Sequence, residues 1–361
     1  MALDYYASGA GEEVTLRSNR TAFEAIELRP RVLVDVSRRD LTTRVLDRDW
    51  AMPVAIAPMA FQCLADPLGE LATAKAAARF GTAMVLSTLS TPRLEDVAIA
   101  SRSVTPSPEA SIPNFGSPLW FQLYVHRDRT LTERLVERAQ EAGYEALCVT
   151  VDAPILGTRK RDRKNQFCLP DGMTLANLVS LSDLSIAHTE GESGLFAYFA
   201  EQLDPSLTWS DLEWLRSLTS LPVVVKGILR GDDAKRALDC GIRGIVVSNH
   251  GGRQLDGAIA SLDALPEVVD AVGDWVDVLV DGGIRQGTDV LKALALGAKA
   301  VLLGRPILWG LAVDGEAGAG RVLELLRAEL DVAMALSGCP SLEAIDRSLV
   351  RWRRDRIANM H

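Results

Sequence analysis

Eight short apolar runs recur along this chain, at residues 53–57, 82–86, 119–124, 146–151, 222–225, 244–247, 276–280 and 300–303. They are rich in β-branched residues and lack polar alternation, the pattern of strands covered on both faces, as in parallel sheets. Between them, residues 68–80, 130–142, 232–240 and 288–296 carry apolar side chains at helical spacing. Parallel strands need crossover connections, and eight strand–helix units predict an α/β chain closed into a (β/α)8 TIM barrel. An open doubly wound sheet is the alternative that this pattern leaves.

A chain of 361 residues buries a large core without disulfides or metal. Barrels of this kind run to such lengths as one domain, so the expectation is a single domain. Residues 1–50 would form an N-terminal cap, 51–338 the barrel and 339–361 a tail. Two stretches interrupt the rhythm. Residues 101–118, rich in Ser and Pro, read as a surface loop. Residues 166–205, after the fourth run, read as a long lid loop over the barrel mouth or as a surface excursion without a role. A last helix is expected over 320–336, stopped by Ser337-Gly338. Arg351, Arg353, Arg354 and Arg356 beyond it read as a solvated or subunit-contact surface.

The net charge of −9 argues against nucleic acid as a partner but leaves room for a small anion held by local arginines. No apolar stretch approaches the ~18 residues of a membrane span. The opening MALDYYASGA has no basic-then-apolar pattern of a signal peptide, and a cytoplasmic location is expected. The five cysteines show no CxxC or metal-finger spacing, and no HxxE or HxH occurs, so no metal is expected. His126 and His188 read as surface residues.

Polar residues fall at the C-terminal ends of the apolar runs: Ser87, Gln122 with Tyr124, Thr150 with Asp152, Lys226, Ser248 with Asn249 and His250, Asp281, and Arg305. In a barrel these ends meet on one face, where active sites are built. Lys226 suits a Schiff-base amine, a cation beside an electron-rich cofactor, or a strand-end lysine escaping to solvent. His250, flanked by Gly251 and Gly252, is a candidate base. Arg253 suits bidentate grip of a carboxylate. Asp281-Gly282-Gly283-Ile284-Arg285 and Gly304-Arg305 follow the last two runs, where barrels often clamp phosphate.

The segments Asp4-Tyr5-Tyr6-Ala7-Ser8-Gly9-Ala10, Ala57-Pro58-Met59-Ala60-Phe61-Gln62 and Leu86-Ser87-Thr88-Leu89-Ser90-Thr91, and above all Ser248-Asn249-His250-Gly251-Gly252-Arg253-Gln254, carry a resemblance that runs nearly end to end. The chain resembles the FMN-dependent L-2-hydroxy-acid oxidases, the family of glycolate oxidase and L-lactate oxidase, and is most similar to cyanobacterial lactate oxidase-like members. The resemblance implies FMN as cofactor, His250 as catalytic base and Asp152 as its partner. It implies that Arg253, Arg159 and Tyr5 hold the substrate carboxylate, with Tyr124 near the substrate hydroxyl. Pro58, Met59, Ala60, Ser87, Gln122 and Thr150 would contact the isoalloxazine, Lys226 would lie by N1 and Ser248 near the ribityl chain or ring. Asp281 would bind ribityl hydroxyls, and Gly282, Gly283, Arg285, Gly304 and Arg305 belong to the phosphate clamp.

The implied reaction takes L-lactate and O2 to pyruvate and H2O2, in a likeness that also implies a homotetramer or octamer. Glycolate-preferring relatives carry Trp where this chain has Leu89 and Thr where it has Met59. The smaller Leu89 leaves room for a methyl group, so lactate is expected over glycolate. The alternatives are a dehydrogenase of the same family serving a quinone or other acceptor, a glycolate-preferring oxidase, a silent flavin-binding barrel and a Schiff-base lyase built on Lys226.

Overall fold

The computed structural model describes residues 1–104, 117–179 and 201–353. Eight strands form its centre: β1 (Val54–Ile56), β2 (Ala83–Leu86), β3 (Leu119–Leu123), β4 (Ala146–Thr150), β5 (Val223–Ile228), β6 (Gly244–Val247), β7 (Asp277–Asp281) and β8 (Ala300–Leu303). Each pairs in parallel with the next, and β8 pairs with β1, so the sheet closes into the expected barrel. A helix follows every strand on the way round, the first being Gly69–Arg79 and the last Arg305–Ser337.

Strand phase decides what each residue does. Because side chains alternate between faces, Val54, Ile56, Met84, Leu86, Phe121, Val149, Val225 and Val247 point outward and pack under the helices in the main apolar core. Ala55, Val85, Trp120, Cys148, Val224, Val246, Leu279 and Leu302 share the opposite phase and fill the barrel interior as a second cluster. The hairpin of Thr43–Val45 with Arg48–Trp50 caps one end, where the fully buried Trp50 packs against Trp120 with ring centroids 5.6 Å apart. Two residues further along the inward phase, the side chains turn polar. Val85 leads to Ser87, Trp120 to Gln122, Cys148 to Thr150, Val224 to Lys226, Val246 to Ser248 and Leu279 to Asp281. The barrel thus has an apolar floor and a polar upper layer, set by strand period alone.

Three local readings differ from the structure. The last helix begins at Arg305, not near residue 320, and is interrupted at Asp314 and Gly315. Its glycines hid it, since each weakens helix propensity. The structure gives a reason for two of them, because a Cβ on Gly310 or Gly318 would strike the other's backbone carbonyl. Ser101 belongs to the helix Leu94–Arg102, not to a loop, and residues 105–116 lie outside the described residues. His126 is fully buried, not at the surface. The backbone around Leu203 returns over it, with Arg127 N donating to Gln202 O and Asp204 N to Val125 O. Burial pushes the His126 imidazole down to about 4, so it stays neutral. His188, Arg354, Arg356 and residues 180–200 of the segment between β4 and β5 lie outside the described residues. Arg351 is exposed, as a solvated surface requires, and pairs with Glu27 across the antiparallel pairing of Val350–Trp352 with Ile26–Leu28.

Among the described residues no helix is long and apolar enough to cross a membrane, and no three His, Cys, Asp or Glu side chains gather as a metal site.

Candidate active site

The turn after β6 carries the sequence's densest cluster. His250, Gly251 and Gly252 have φ of 59°, 63° and 77°, three consecutive left-handed residues. Glycine adopts this region freely, whereas a histidine held there is strained and needs support. Asn249 supplies it. Its Oδ1 accepts from Gly252 N, and its side chain forms a reciprocal amide pair with Asn19, both bonds 2.8 Å long. Gly252 has no room for a side chain, since a Cβ would press on the Leu16 backbone.

His250 Nδ1 lies 2.9 Å from Asp152 Oδ1, beyond the end of β4. With that nitrogen committed as donor, Nε2 is the one left to accept a proton. Burial pushes the imidazole below its ordinary value, Asp152 opposes and Lys226 adds to the fall, so the ring is a neutral acceptor near pH 7. Burial alone would raise the Asp152 carboxyl, but the His250 interaction and Lys226 carry it below the usual range. Asp152 therefore stays anionic, ready to stabilise the imidazolium that proton transfer creates. Its Oδ2 is buried without a hydrogen bond among the described residues.

Lys226 sits on the inward phase of β5, almost fully buried, 3.2 Å from Asp281 and donating to Ser248 Oγ at 3.0 Å. Burial would lower its ammonium, but Asp281 and Asp152 outweigh burial and raise it. A lysine kept charged is a poor carbonyl nucleophile, which argues against a Schiff base. Next to it, Ser87, Gln122 and Thr150 form a chain across three strand ends, with Gln122 Nε2 donating to Thr150 Oγ1 at 2.9 Å and Ser87 Oγ to Gln122 Oε1 at 3.3 Å.

Two further cationic groups crowd the rim. Arg253 and Arg159 stand 4.9 and 5.9 Å from the Tyr5 ring, which Phe167 stacks on at 4.3 Å. Burial, then Arg159, pushes the Arg253 guanidinium down to about 10. Burial, then Arg253 and Arg285, pushes Arg305 down to about 9. Partly buried cations that depress one another mark a place built for an anion. Arg305 also opens the last helix, whose N-terminal dipole favours negative charge. Gly282 and Gly283, with φ of 93° and 89°, turn the chain beside it, and a Cβ on Gly283 would collide with the Asn19 carbonyl. Gly283→Ala is therefore expected to distort this turn and weaken phosphate-group binding at least tenfold, measured as the dissociation constant of the cofactor. An unchanged constant would remove the loop from the anion site.

One cleft of about 1040 Å3, open to solvent, gathers nearly all of these residues. Tyr5, Pro58, Met59, Ala60, Leu89 and Tyr124 share its wall with His250, Arg159 and Arg253 and with Gly304, Arg305 and Arg285, and Arg253 and Arg305 both donate to the Ser8 carbonyl. Asp152 and Ser248 do not line it and stand behind His250 and Lys226. Sequence reading gave Tyr6 no site role, yet it also lines the cleft. It missed Asp162, buried and paired with Arg159 at 3.4 Å, and Asn19. The three-residue spacing of Arg159 and Asp162 could have signalled the former. Asn19 meets its partner 230 residues away and left no local signal. The cleft fits an elongated ligand with an anionic end at Arg285 and Arg305. Hydroxyls along such a ligand would meet Asp281, whose Oδ1 is buried without a partner among the described residues, and a planar polar head would meet the hydroxyl–amide belt and Lys226.

Known proteins share this design across nearly the whole chain. The family model described as FMN-dependent dehydrogenase matches residues 1–352. The chain is 63% identical over 350 residues to L-lactate oxidase of Nostoc sp., covering 97% of this chain and 93% of that one. It is 50% identical to human 2-hydroxyacid oxidase 1, covering 96% and 91%. Among solved structures, mandelate oxidase with (S)-4-hydroxymandelic acid superposes with a TM-score of 0.88 at 45% identity, covering 95% of this chain and 92% of that one. The chain belongs to the FMN-dependent dehydrogenase family.

Proposed function

We propose that this protein is an FMN-dependent L-2-hydroxy-acid oxidase whose main substrate is L-lactate, converting L-lactate and O2 to pyruvate and H2O2. The observation that carries the reading is one cleft with a carboxylate-backed histidine beside two arginines, Arg159 paired with Asp162 and Arg253 without a carboxylate partner among the described residues. A 2-hydroxy acid needs both, a base for its proton and cations for its carboxylate. The names of the Nostoc and human relatives support the same substrate class.

Arg285, Arg305 and the Gly282-Gly283 and Gly304 turns would hold the FMN phosphate, Asp281 its hydroxylated chain, and Lys226, Ser87, Gln122 and Thr150 its ring, with Pro58, Met59 and Ala60 on the adjoining wall. FMN when bound supplies the two-electron acceptor that O2 later reoxidises. The chain does the rest. Arg253 and Arg159 bind the carboxylate, and Tyr5, braced by Phe167, closes over it. Holding carboxylate and hydroxyl together fixes one face of the α-carbon toward the cofactor, which selects the L enantiomer. Tyr124 orients the hydroxyl. His250 takes a proton at Nε2, and Asp152 stabilises the resulting imidazolium. Lys226 keeps positive charge beneath the site, favouring the build-up of negative charge there.

Leu89 is buried at the cleft wall, with its N–H on Ser87 Oγ at 3.1 Å. A methyl group accommodated there is worth ~1–3 kcal/mol. Leu89→Trp would fill that space, and the ratio of kcat/KM for lactate over glycolate should fall at least tenfold. A wild-type enzyme that already favours glycolate would refute the lactate assignment. The oxidase assignment is tested by stoichiometry: one H2O2 and one pyruvate per O2, with no added acceptor. Flavin reduced by lactate but persistently unreactive with O2 would make the protein a dehydrogenase. The resemblance extends the proposal to a cytoplasmic homotetramer, which sedimentation of the purified protein checks for assembly.

A further inference from the structure

Glu70 is a fully buried carboxylate that the proposed reaction leaves without a task. It lies in the first turn of the helix Gly69–Arg79, behind the cleft wall. No ion pair reaches it among the described residues. Burial pushes its carboxyl up to about 7, against donors from Gln62 and Thr91 that hold it down. Burying an acid with no cation is costly, and an apolar side chain would fill the same space more cheaply.

What Glu70 does is join two loops. Its Oε1 accepts from Gln62 N at 3.0 Å and from Thr91 N at 3.1 Å, and its Oε2 from Thr91 Oγ1 at 3.0 Å. Thr91 Oγ1 in turn accepts from Cys63 N at 3.2 Å. Thr73, one turn along the same helix, donates to Gln62 Oε1 at 2.6 Å, and Gln62 Nε2 reaches Met59 O at 3.4 Å. A direct backbone bond, Phe61 N to Leu89 O at 3.2 Å, completes the join. The first loop brings Met59 and Ala60 to the cleft, and the second brings Leu89.

We infer that Glu70 is a positioning residue for substrate selectivity, fixing the placement of Met59 and Leu89 relative to each other and so the space offered to the substrate's alkyl group. This rests on the 2-hydroxy-acid reading above and deepens it. Hydrogen bonds to main-chain donors within a buried network hold geometry more firmly than packing alone. That gives a buried acid a use in a wall that must distinguish hydrogen, methyl and ethyl.

The test compares Glu70→Leu and Glu70→Gln with wild type. The kcat/KM values of FMN-loaded protein are measured for glycolate, L-lactate and L-2-hydroxybutyrate. The same discrimination is read without turnover from the dissociation constants of D-lactate and D-2-hydroxybutyrate, followed by flavin absorbance. Glu70→Leu should lower discrimination between the three- and four-carbon acids at least fivefold, with FMN affinity within threefold of wild type. Glu70→Gln keeps a carbonyl acceptor for the main-chain donors and should keep the ratios within twofold. Thr91→Val removes one rung while leaving the carboxylate, and should shift the ratios about threefold even if Glu70→Leu does not fold. Ratios unchanged in both Glu70→Leu and Thr91→Val, or in Thr91→Val alone where the Leu variant is insoluble, would make Glu70 a structural brace and overturn the inference. A wild-type protein that oxidises none of the three acids would instead overturn the functional reading, and this inference with it.

Discussion

Replacing His250 by Gln is expected to leave a folded, FMN-loaded protein whose flavin is reduced by L-lactate about a thousandfold more slowly than in wild type. General-base catalysis is worth ~10²–10⁴ in rate, and a thousandfold corresponds to about 4 kcal/mol of barrier. The amide of Gln can still donate to Asp152, so the buried carboxylate keeps a partner and the turn keeps its anchor at Asn249. What it cannot do is accept the substrate's proton. Stopped-flow reduction under anaerobic conditions separates this step from reoxidation by O2. Substrate dissociation constants should change little, because the carboxylate clamp is untouched. Reduction within tenfold of wild type would take the base role away from His250.

Arg253→Met is expected to act on binding. Arg253 is half-buried at the cleft wall, and the Arg159 cation beside it is itself engaged with Asp162. Removing one member of a buried charge-assisted contact costs ~2–5 kcal/mol, so the dissociation constant for L-lactate should rise by roughly two orders of magnitude or more. Arg253 also donates to the carbonyls of Tyr5 and Ser8, and losing it would loosen the segment that brings Tyr5 over the substrate. Arg253→Lys should recover only part of the loss, because an ammonium has no planar fork to match a carboxylate. A spectral titration with an unreactive carboxylate anion reads the effect without turnover. A constant within threefold of wild type would show that the carboxylate binds elsewhere.

The fold and much of the site were legible because both follow from short-range rules. Strand period put Ser87, Gln122, Thr150, Lys226, Ser248 and Asp281 on the inward phase just beyond the apolar layer, and barrel closure did the gathering. Glycine pairs marked the turns that need φ > 0, at Gly251-Gly252 and Gly282-Gly283. What the residues alone left open depended on distant chain. Tyr5 enters the cleft because helix Ala2–Ala7 lies under Arg253 and beside Phe167, an arrangement with no local signature and reached in the sequence only through family resemblance. Asn19 and Glu70 act on partners that tertiary packing delivers. His126 looked like a surface residue because nothing in its own neighbourhood announces that residues 202–204 will cover it. The first half of the last helix was hidden because its glycines serve close packing between its own turns rather than helix propensity.

The most direct measurement is an anaerobic absorbance titration of the purified wild-type protein with L-lactate and, separately, D-lactate. A chain with its base, carboxylate clamp and phosphate clamp in one cleft should carry a flavin spectrum that L-lactate bleaches fully in one two-electron step, while D-lactate only perturbs it. A flavin that neither enantiomer bleaches, or that both bleach at equal rates, would contradict that arrangement as the working site.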